Sequence, residues 1–400
     1  MENLTFLTNL KLRVGYGQLG NQGINNFETI QTLISGGNSV FAGKISQGVV
    51  AARLPNPELR WETTSETNVG LDFGILSNKI SGSIDYFYRS TADQLFIKPL
   101  PSVVGFTSVR TNFGSVLNRG VDIQIVSNNL NDGLKWKTIF NVSILKNEVT
   151  KLPDFTQQII GGNIGTFISN YTIVTVGSPL QSFYGYKING IFQAGEELKP
   201  IPKVTGYAAG MPKFVDQDGN GVIDELDRVI LGDPFPDYTF GITNQLDYKG
   251  LSLNFLIAGV QGIQTLDANV TESLYPTNTV RNSISRYFTD RWTPENPSNV
   301  LPSGVNSTLY GGGRSINSLT VVDASFVRLK NVTLGYTLPI RSKKVVKSIK
   351  IYGAAENLLT LTGYEGFDPD AGATGGGVSK VNYNSYPLAK TFRFGLDINF

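Results

Sequence analysis

The last ten residues, Thr391 to Phe400, alternate without a break between wet and apolar side chains. Phe392, Phe394, Leu396, Ile398 and Phe400 share one face, while Thr391, Arg393, Gly395, Asp397 and Asn399 share the other. A period of two is extended chain, whose successive side chains point to opposite faces of a sheet. Strands of soluble sandwiches usually stop at about 5–6 residues, whereas a tilted strand needs ~9–11 to cross a bilayer. The same pattern recurs along the chain. Leu10, Leu12, Val14 and Tyr16 oppose Lys11, Arg13 and Gly15; Trp136, Phe140, Val142 and Ile144 oppose Lys137, Asn141 and Ser143. Val332, Leu334, Tyr336 and Leu338 oppose Asn331, Thr333, Gly335 and Thr337.

The spacing predicts twelve strands, near 8–17, 65–76, 79–95, 109–128, 134–149, 167–176, 182–193, 237–248, 251–262, 325–338, 348–360 and 390–400. Their connections alternate between short and long. Ser77-Asn78 and Lys249-Gly250 lie in short ones; long ones run at about 18–64, 96–108, 150–166, 194–236, 263–324 and 361–389. Short turns on one side and long loops on the other are the signature of an outer-membrane barrel. A large soluble all-β surface protein has no reason to put every long loop at one end. The expected fold is therefore an all-β transmembrane antiparallel barrel.

Composition removes most other chemistry. The chain has no His and no Cys, which excludes His- or thiolate-dependent nucleophile systems, thiolate zinc sites and disulfides. No enzyme activity is expected. A net charge of +2 gives no basic excess of the kind that nucleic-acid binding needs. Apolar runs such as Phe255-Leu-Ile-Ala-Gly-Val260 are far shorter than the ~20 residues of a spanning helix. Met1-Glu-Asn-Leu-Thr-Phe6 has neither the cationic start nor the apolar stretch of a secretion signal.

Local segments carry a resemblance. Leu10-Lys-Leu-Arg-Val-Gly-Tyr-Gly-Gln-Leu-Gly-Asn-Gln22, Asn56-Pro-Glu-Leu-Arg-Trp-Glu62 and Asn68-Val-Gly-Leu-Asp-Phe-Gly74 resemble barrel segments of SusC/RagA-type TonB-linked outer-membrane proteins. So do Gly82-Ser-Ile-Asp-Tyr-Phe-Tyr88, Asn112-Phe-Gly-Ser-Val-Leu-Asn-Arg-Gly120, Arg291-Trp-Thr-Pro-Glu-Asn-Pro297 and Ser325 to Pro339. They follow the family's order and reach the closing Phe400. The resemblance implies a 22-stranded TonB-dependent receptor barrel with an N-terminal plug, of which residues 1–400 would be about twelve C-terminal strands. It implies import of glycan fragments or peptides with a SusD-like surface lipoprotein, driven by the TonB complex through a missing N-terminal region. The expected location is the outer membrane of a Gram-negative bacterium, in contact with membrane lipid. The competing expectation is a self-contained barrel or adhesin without energised transport.

The sharpest local site is Asp216-Gln-Asp-Gly-Asn-Gly-Val-Ile-Asp-Glu-Leu-Asp227. Asp216, Asp218, Asn220, Val222 (through its carbonyl), Asp224 and Asp227 fall at the ligand positions of a calcium loop, with Gly221 at the sharp turn. Asp227 stands where Glu is usual. A structural Ca²⁺ stiffening a long outer loop is expected; the plainer reading is a solvated turn. Pro212 and Pro234 leave no room for flanking EF-hand helices. Trp292, Tyr310, Tyr364 and Phe367 lie in long loops, where an aromatic face can stack on a sugar or can simply hold the loop together. The segment around Trp292 belongs to the resemblance itself, which points to loop architecture. Arg13, Asp85, Arg393 and Asp397 are expected on the barrel interior. Phe392, Phe394, Leu396, Ile398 and Phe400 resemble the terminal signal read by the barrel-assembly machinery.

Overall fold

The computed structural model describes residues 6–400 except 25, 154–155, 165–167, 197–200, 203–206, 275–284, 305–315, 341–344 and 371–379. Ten strands form a single antiparallel sheet in sequence order. They are β1 (Leu7–Asn21), β2 (Glu62–Ile75), β3 (Ile80–Pro99), β4 (Ser108–Leu130) and β5 (Leu134–Lys151). After a long excursion come β6 (Tyr238–Tyr248), β7 (Leu251–Gln261), β8 (Phe326–Leu338), β9 (Ser348–Thr362) and β10 (Thr391–Asn399). No helix among the described residues is long and apolar enough to cross a membrane, which leaves crossing by strands open.

Register explains why these sequences form this sheet. Leu12 lies opposite Leu71, Leu71 opposite Ile84, Ile84 opposite Ile123, Ile123 opposite Val142, and Val142 opposite Phe240. Farther along, Leu251 faces Tyr336, Tyr336 faces Ile351, and Ile351 faces Leu396. A shift of one residue in any pair would move a whole set of apolar side chains to the other face. The apolar rows therefore fix the pairing and together make one lipid-facing surface. Trp136, Tyr248 and Tyr336 sit near its short-turn edge, where an aromatic girdle belongs. The indole N–H of Trp136 donates to the Asn244 side-chain oxygen at 2.9 Å, so its polar tip is satisfied.

The opposite face is wet. Arg13 of β1 bridges Asp72 at 2.8 Å and Asp85 at 2.9 Å, tying the first three strands by charge. Arg393 pairs with Glu356, and Asp397 lies in register with Lys350. Of the interior charges expected from the alternation, Arg13, Asp85 and Arg393 are thus drawn into cross-strand ion pairs.

Connections differ between the two ends. Those at one end are 76–79, 131–133, 249–250 and 339–347, none above nine residues; the others are 22–61, 100–107, 152–237, 262–325 and 363–390, all far longer except the eight-residue 100–107. Because the strands are antiparallel and consecutive, all five of the latter emerge at one end. Lys249 and Gly250 both have positive φ, 47° and 88°, which gives the two-residue hairpin a twist matching its strands. The basic cluster Arg341-Ser-Lys-Lys344 lies outside the described residues.

The sheet has ten strands where the sequence pattern predicts about twelve. The segments 167–176 and 182–193 are not barrel strands. Ile168–Thr175 and Ser182–Tyr186 belong to a separate four-stranded sheet inside the 152–237 excursion. All five residues of Ser182–Tyr186 are buried, so this strand has no wet face and no lipid face. The two segments leave the barrel as a consecutive pair, so the alternation of loop lengths is undisturbed.

The lipid-facing assignment predicts a sharp asymmetry between neighbours. In the membrane-inserted protein, Ile123→Arg should cost about 2–4 kcal/mol and lower the amount of heat-modifiable folded barrel. Gln124→Arg, on the wet face one residue away, should be tolerated. Equal loss from both would contradict the register.

Candidate functional site

The long connections fold into a body above the sheet. The 152–237 excursion builds a sheet from Gln158–Ile164, Ile168–Thr175, Ser182–Tyr186 and Arg228–Gly232. Strand Gln264–Asp267 pairs antiparallel with Val321–Asp323 and parallel with Val381–Asn382, so it joins the 262–325 and 363–390 connections. One apolar cluster holds Tyr186, Phe192, Phe214 and Ile223 of the first connection together with Val270, Leu274 and Leu301 of the second. Burial of such side chains, at roughly 1.5–3 kcal/mol each, is what orders loops of this length.

The acidic loop lies between strand Pro212–Phe214 and the 3₁₀ turn Glu225–Asp227, with strand Arg228–Gly232 following. No EF-hand helices flank it. The carboxylates of Asp216, Asp218 and Asp227 each bring an oxygen within 4.8 Å of the others. Asp216 accepts the N–H groups of Gly219 at 2.7 Å and Gly221 at 2.8 Å, and Gly221 with φ of 83° makes the turn that aims them. The Gly221 N–H, followed by that of Gly219, holds the Asp216 carboxyl below the usual carboxylate range, against some desolvation. Asp227 is wholly buried and accepts from Gln217 N–H at 2.7 Å and Asp224 N–H at 2.8 Å. Asp224 caps the 3₁₀ turn by accepting from Leu226 N–H at 2.8 Å, and it stands outside the converging set. Asn220 donates to Asp218 and accepts from Val222 N–H at 2.7 Å. Ile223 is buried in the same apolar cluster, which roots the loop.

A pocket of about 880 Å³ opens beside that cluster. Helix α1 (Ala268–Leu274) supplies Val270 and Leu274, and the 363–390 connection supplies Tyr364, Glu365 and Phe367. Its floor is a buried network. The Tyr364 hydroxyl donates to Asp267 at 2.5 Å and accepts from the Asn382 side chain at 2.5 Å. Burial, reinforced by the Asp267 charge, pushes the Tyr364 hydroxyl far above its ordinary range, and it stays protonated. Tyr287 is pushed up to about 12, chiefly by burial and then by Glu365. Four residues after Tyr364, Asp368 is gripped by Arg328 of β8 at 2.5 Å and by the Leu388 N–H at 3.0 Å. Burial opposes the Asp368 charge, but the Asp370 and Leu388 N–H groups and Arg328 outweigh it and hold its carboxyl below the usual range. Segment 364–368 is thus fixed at both ends and presents Phe367 at 84% exposure.

Residues 3–358 match the family described as TonB dependent receptor-like, beta-barrel. The chain belongs to that family. It is an outer-membrane β-barrel chain of a receptor family rather than an enzyme family. It is 34% identical to TonB-dependent receptor P3 of Formosa agariphila over 98% of its own length and 40% of that relative. It is 29% identical to TonB-dependent receptor SusC of Bacteroides thetaiotaomicron over all of its own length and 38% of that protein. In structure it resembles the RagAB peptide transporter with a TM-score of 0.81 and 26% identity, covering 100% of this chain and 41% of that one. The receptor chain therefore spans about two-fifths of the length of its relatives.

Within this receptor chain the candidate residues separate. Of the loop residues, Asp216, Asp218 and Asp227 converge, whereas Asn220, Val222 and Asp224 serve the turn through their own hydrogen bonds. Tyr364 and Phe367 line the pocket. Trp292 does not: its ring is buried, its indole N–H donates to Gln193 at 2.8 Å, and its backbone N–H donates to Leu301. It holds two connections together. Tyr310 lies outside the described residues. Phe392, Phe394, Leu396 and Ile398 project from one exposed face of β10, with Phe400 just beyond it. Sequence reasoning missed Asp267, Arg286, Arg328 and Asp368. Arg328 carried a signal, a charge in step with the apolar Val332 and Leu334, which the irregularity between Leu329 and Asn331 moves to the other face; Asp267 carried none.

Proposed function

We propose that this chain is the C-terminal barrel portion of an energised outer-membrane import receptor. The observation that carries this reading is a ten-stranded sheet with its longest connections at one end and its two outer strands, β1 and β10, each paired on one side only among the described residues. Lipid does not tolerate an unpaired sheet edge, so further strands of the same receptor complete the barrel, together with a plug. The cargo is oligosaccharide or peptide, captured with a SusD-like surface lipoprotein, and the TonB complex supplies the energy through the N-terminal region. Cells carrying the intact receptor should take up labelled oligosaccharides or peptides and lose that uptake on addition of a protonophore. Uptake indifferent to the protonophore would favour a passive, self-contained barrel.

The acidic loop is read as a structural Ca²⁺ site. Three carboxylates held this close repel one another, and Ca²⁺ takes oxygen ligands readily in such loops. Asp216, Asp218 and Asp227 would hold the ion, with the Val222 carbonyl as a further oxygen, while Asn220 and Asp224 hold the turn. Adding Ca²⁺ to chelator-stripped receptor should slow proteolysis of the 152–237 connection, and Asp216→Ala should abolish that protection. Because Asp216 titrates below its usual range, the order it contributes is present at neutral pH and is lost only as pH falls through that depressed value. Protection unaffected by chelator would contradict the site.

Phe392, Phe394, Leu396, Ile398 and Phe400 are read as the assembly signal. Their exposure on one face of the last strand supports this. Removal of Phe400 should reduce outer-membrane levels of the intact receptor, and unchanged levels would remove the role.

A further inference from the structure

The pocket between α1 and the 363–390 connection narrows the choice of cargo, provided that the chain serves import. Its volume of about 880 Å³ is that of a ligand site. Aliphatic side chains of Val270, Leu274, Val300, Leu301, Leu319 and Val322 line it. Tyr287, Tyr364 and Phe367 add aromatic surface.

An oligosaccharide presents hydroxyls that each seek a donor and an acceptor, and leaving them against such walls is costly. The one neutral amide in the lining, Asn269, is already engaged. Its nitrogen donates to Asp267 at 3.2 Å and to the Asn382 carbonyl at 3.3 Å, and its oxygen accepts the Asn384 N–H at 2.9 Å. The Tyr364 hydroxyl is likewise taken by Asp267 and Asn382. Apart from the Tyr287 hydroxyl, the remaining polar side chains of the lining are charged. Asp323 and Glu365 are exposed in the lining, and Arg286, paired with Glu365, is its sole cation among the described residues. With the buried Asp267, the lining carries three carboxylates against one guanidinium.

We propose that this pocket binds an oligopeptide, seating an apolar side chain among Val270, Leu319, Val322 and Phe367 with a neighbouring ammonium held by Asp323 and Glu365. Phe367 supports this placement. Segment 364–368 is anchored through Tyr364 to Asp267 and through Asp368 to Arg328, which holds a large apolar ring in water at 84% exposure. A ring kept exposed by two buried anchors is pre-organised for an apolar partner.

The test uses the intact receptor in its native outer-membrane complex, purified in detergent. The probes are Ala-Leu-Ala-Ala-Ala, the same peptide with Asp for Leu, its N-acetylated form, and maltoheptaose. The leucine peptide should bind, and the aspartate and acetylated forms should bind at least about tenfold more weakly. Phe367→Ala and Val300→Asp, both at exposed positions that folding does not need, should weaken the leucine peptide by a similar factor at unchanged barrel levels. Saccharide binding sensitive to these two substitutions overturns the proposal, as does peptide binding indifferent to them, and either result leaves the import reading intact. Binding of neither class, joined to absence of protonophore-sensitive uptake, overturns both.

Discussion

Hydrocarbon offers no partner for a backbone N–H or C=O, and that constraint organises the whole chain. Ten strands answer it by pairing only with sequence neighbours, in registers that place one apolar side chain beside the next across the lipid face. The wet face is then free to carry charge, and Arg13, Asp72 and Asp85 use it to tie three strands together. The same constraint sends every irregular segment to the ends of the strands. Since consecutive antiparallel strands turn alternately at the two ends, short turns on one side force all the long connections to share the other. The body that carries the acidic loop and the pocket is a consequence of that sorting.

How legible this was in the sequence depended on which force acted. Strand identity in the membrane is a one-dimensional property: period two, sustained over about ten residues, with turns of the right chemistry. Lys249-Gly250 and the alternation of Thr391 to Phe400 read directly. The failure came where strands serve a different environment. Ser182–Tyr186 is apolar, short and buried on both faces, as expected of a strand packed inside a small loop sheet. By pattern 182–193 runs together as one long strand, whereas the chain breaks at Lys187 into two short ones.

The sites divided along similar lines. The acidic loop was legible because its residues are contiguous and the template demands fixed spacing, and Asp216, Asp218 and Asp227 do converge. Asp224 departed because a free N–H at a 3₁₀ turn competes for the same oxygen. The pocket was not legible as a unit. Asp267 and Tyr364 are 97 residues apart, as are Trp292 and Gln193 by 99, and only tertiary packing brings such partners within hydrogen-bonding range. Two aromatics in similar loops, Trp292 and Phe367, have opposite fates for that reason: one fills a loop core, the other is held out in water.

The central claim is that this is a membrane barrel sheet with its long connections on the outer surface and its tight turns on the inner side. The chain has no cysteine, so single cysteines report without background from it. Tyr386→Cys lies in the 363–390 connection at an exposed position, and Lys249→Cys lies in the two-residue turn between β6 and β7. In whole cells producing the intact receptor, a membrane-impermeant maleimide should label the first and spare the second until the outer membrane is breached. Labelling of the Lys249→Cys variant in intact cells, with the Tyr386→Cys variant protected, would contradict the topology on which the rest depends.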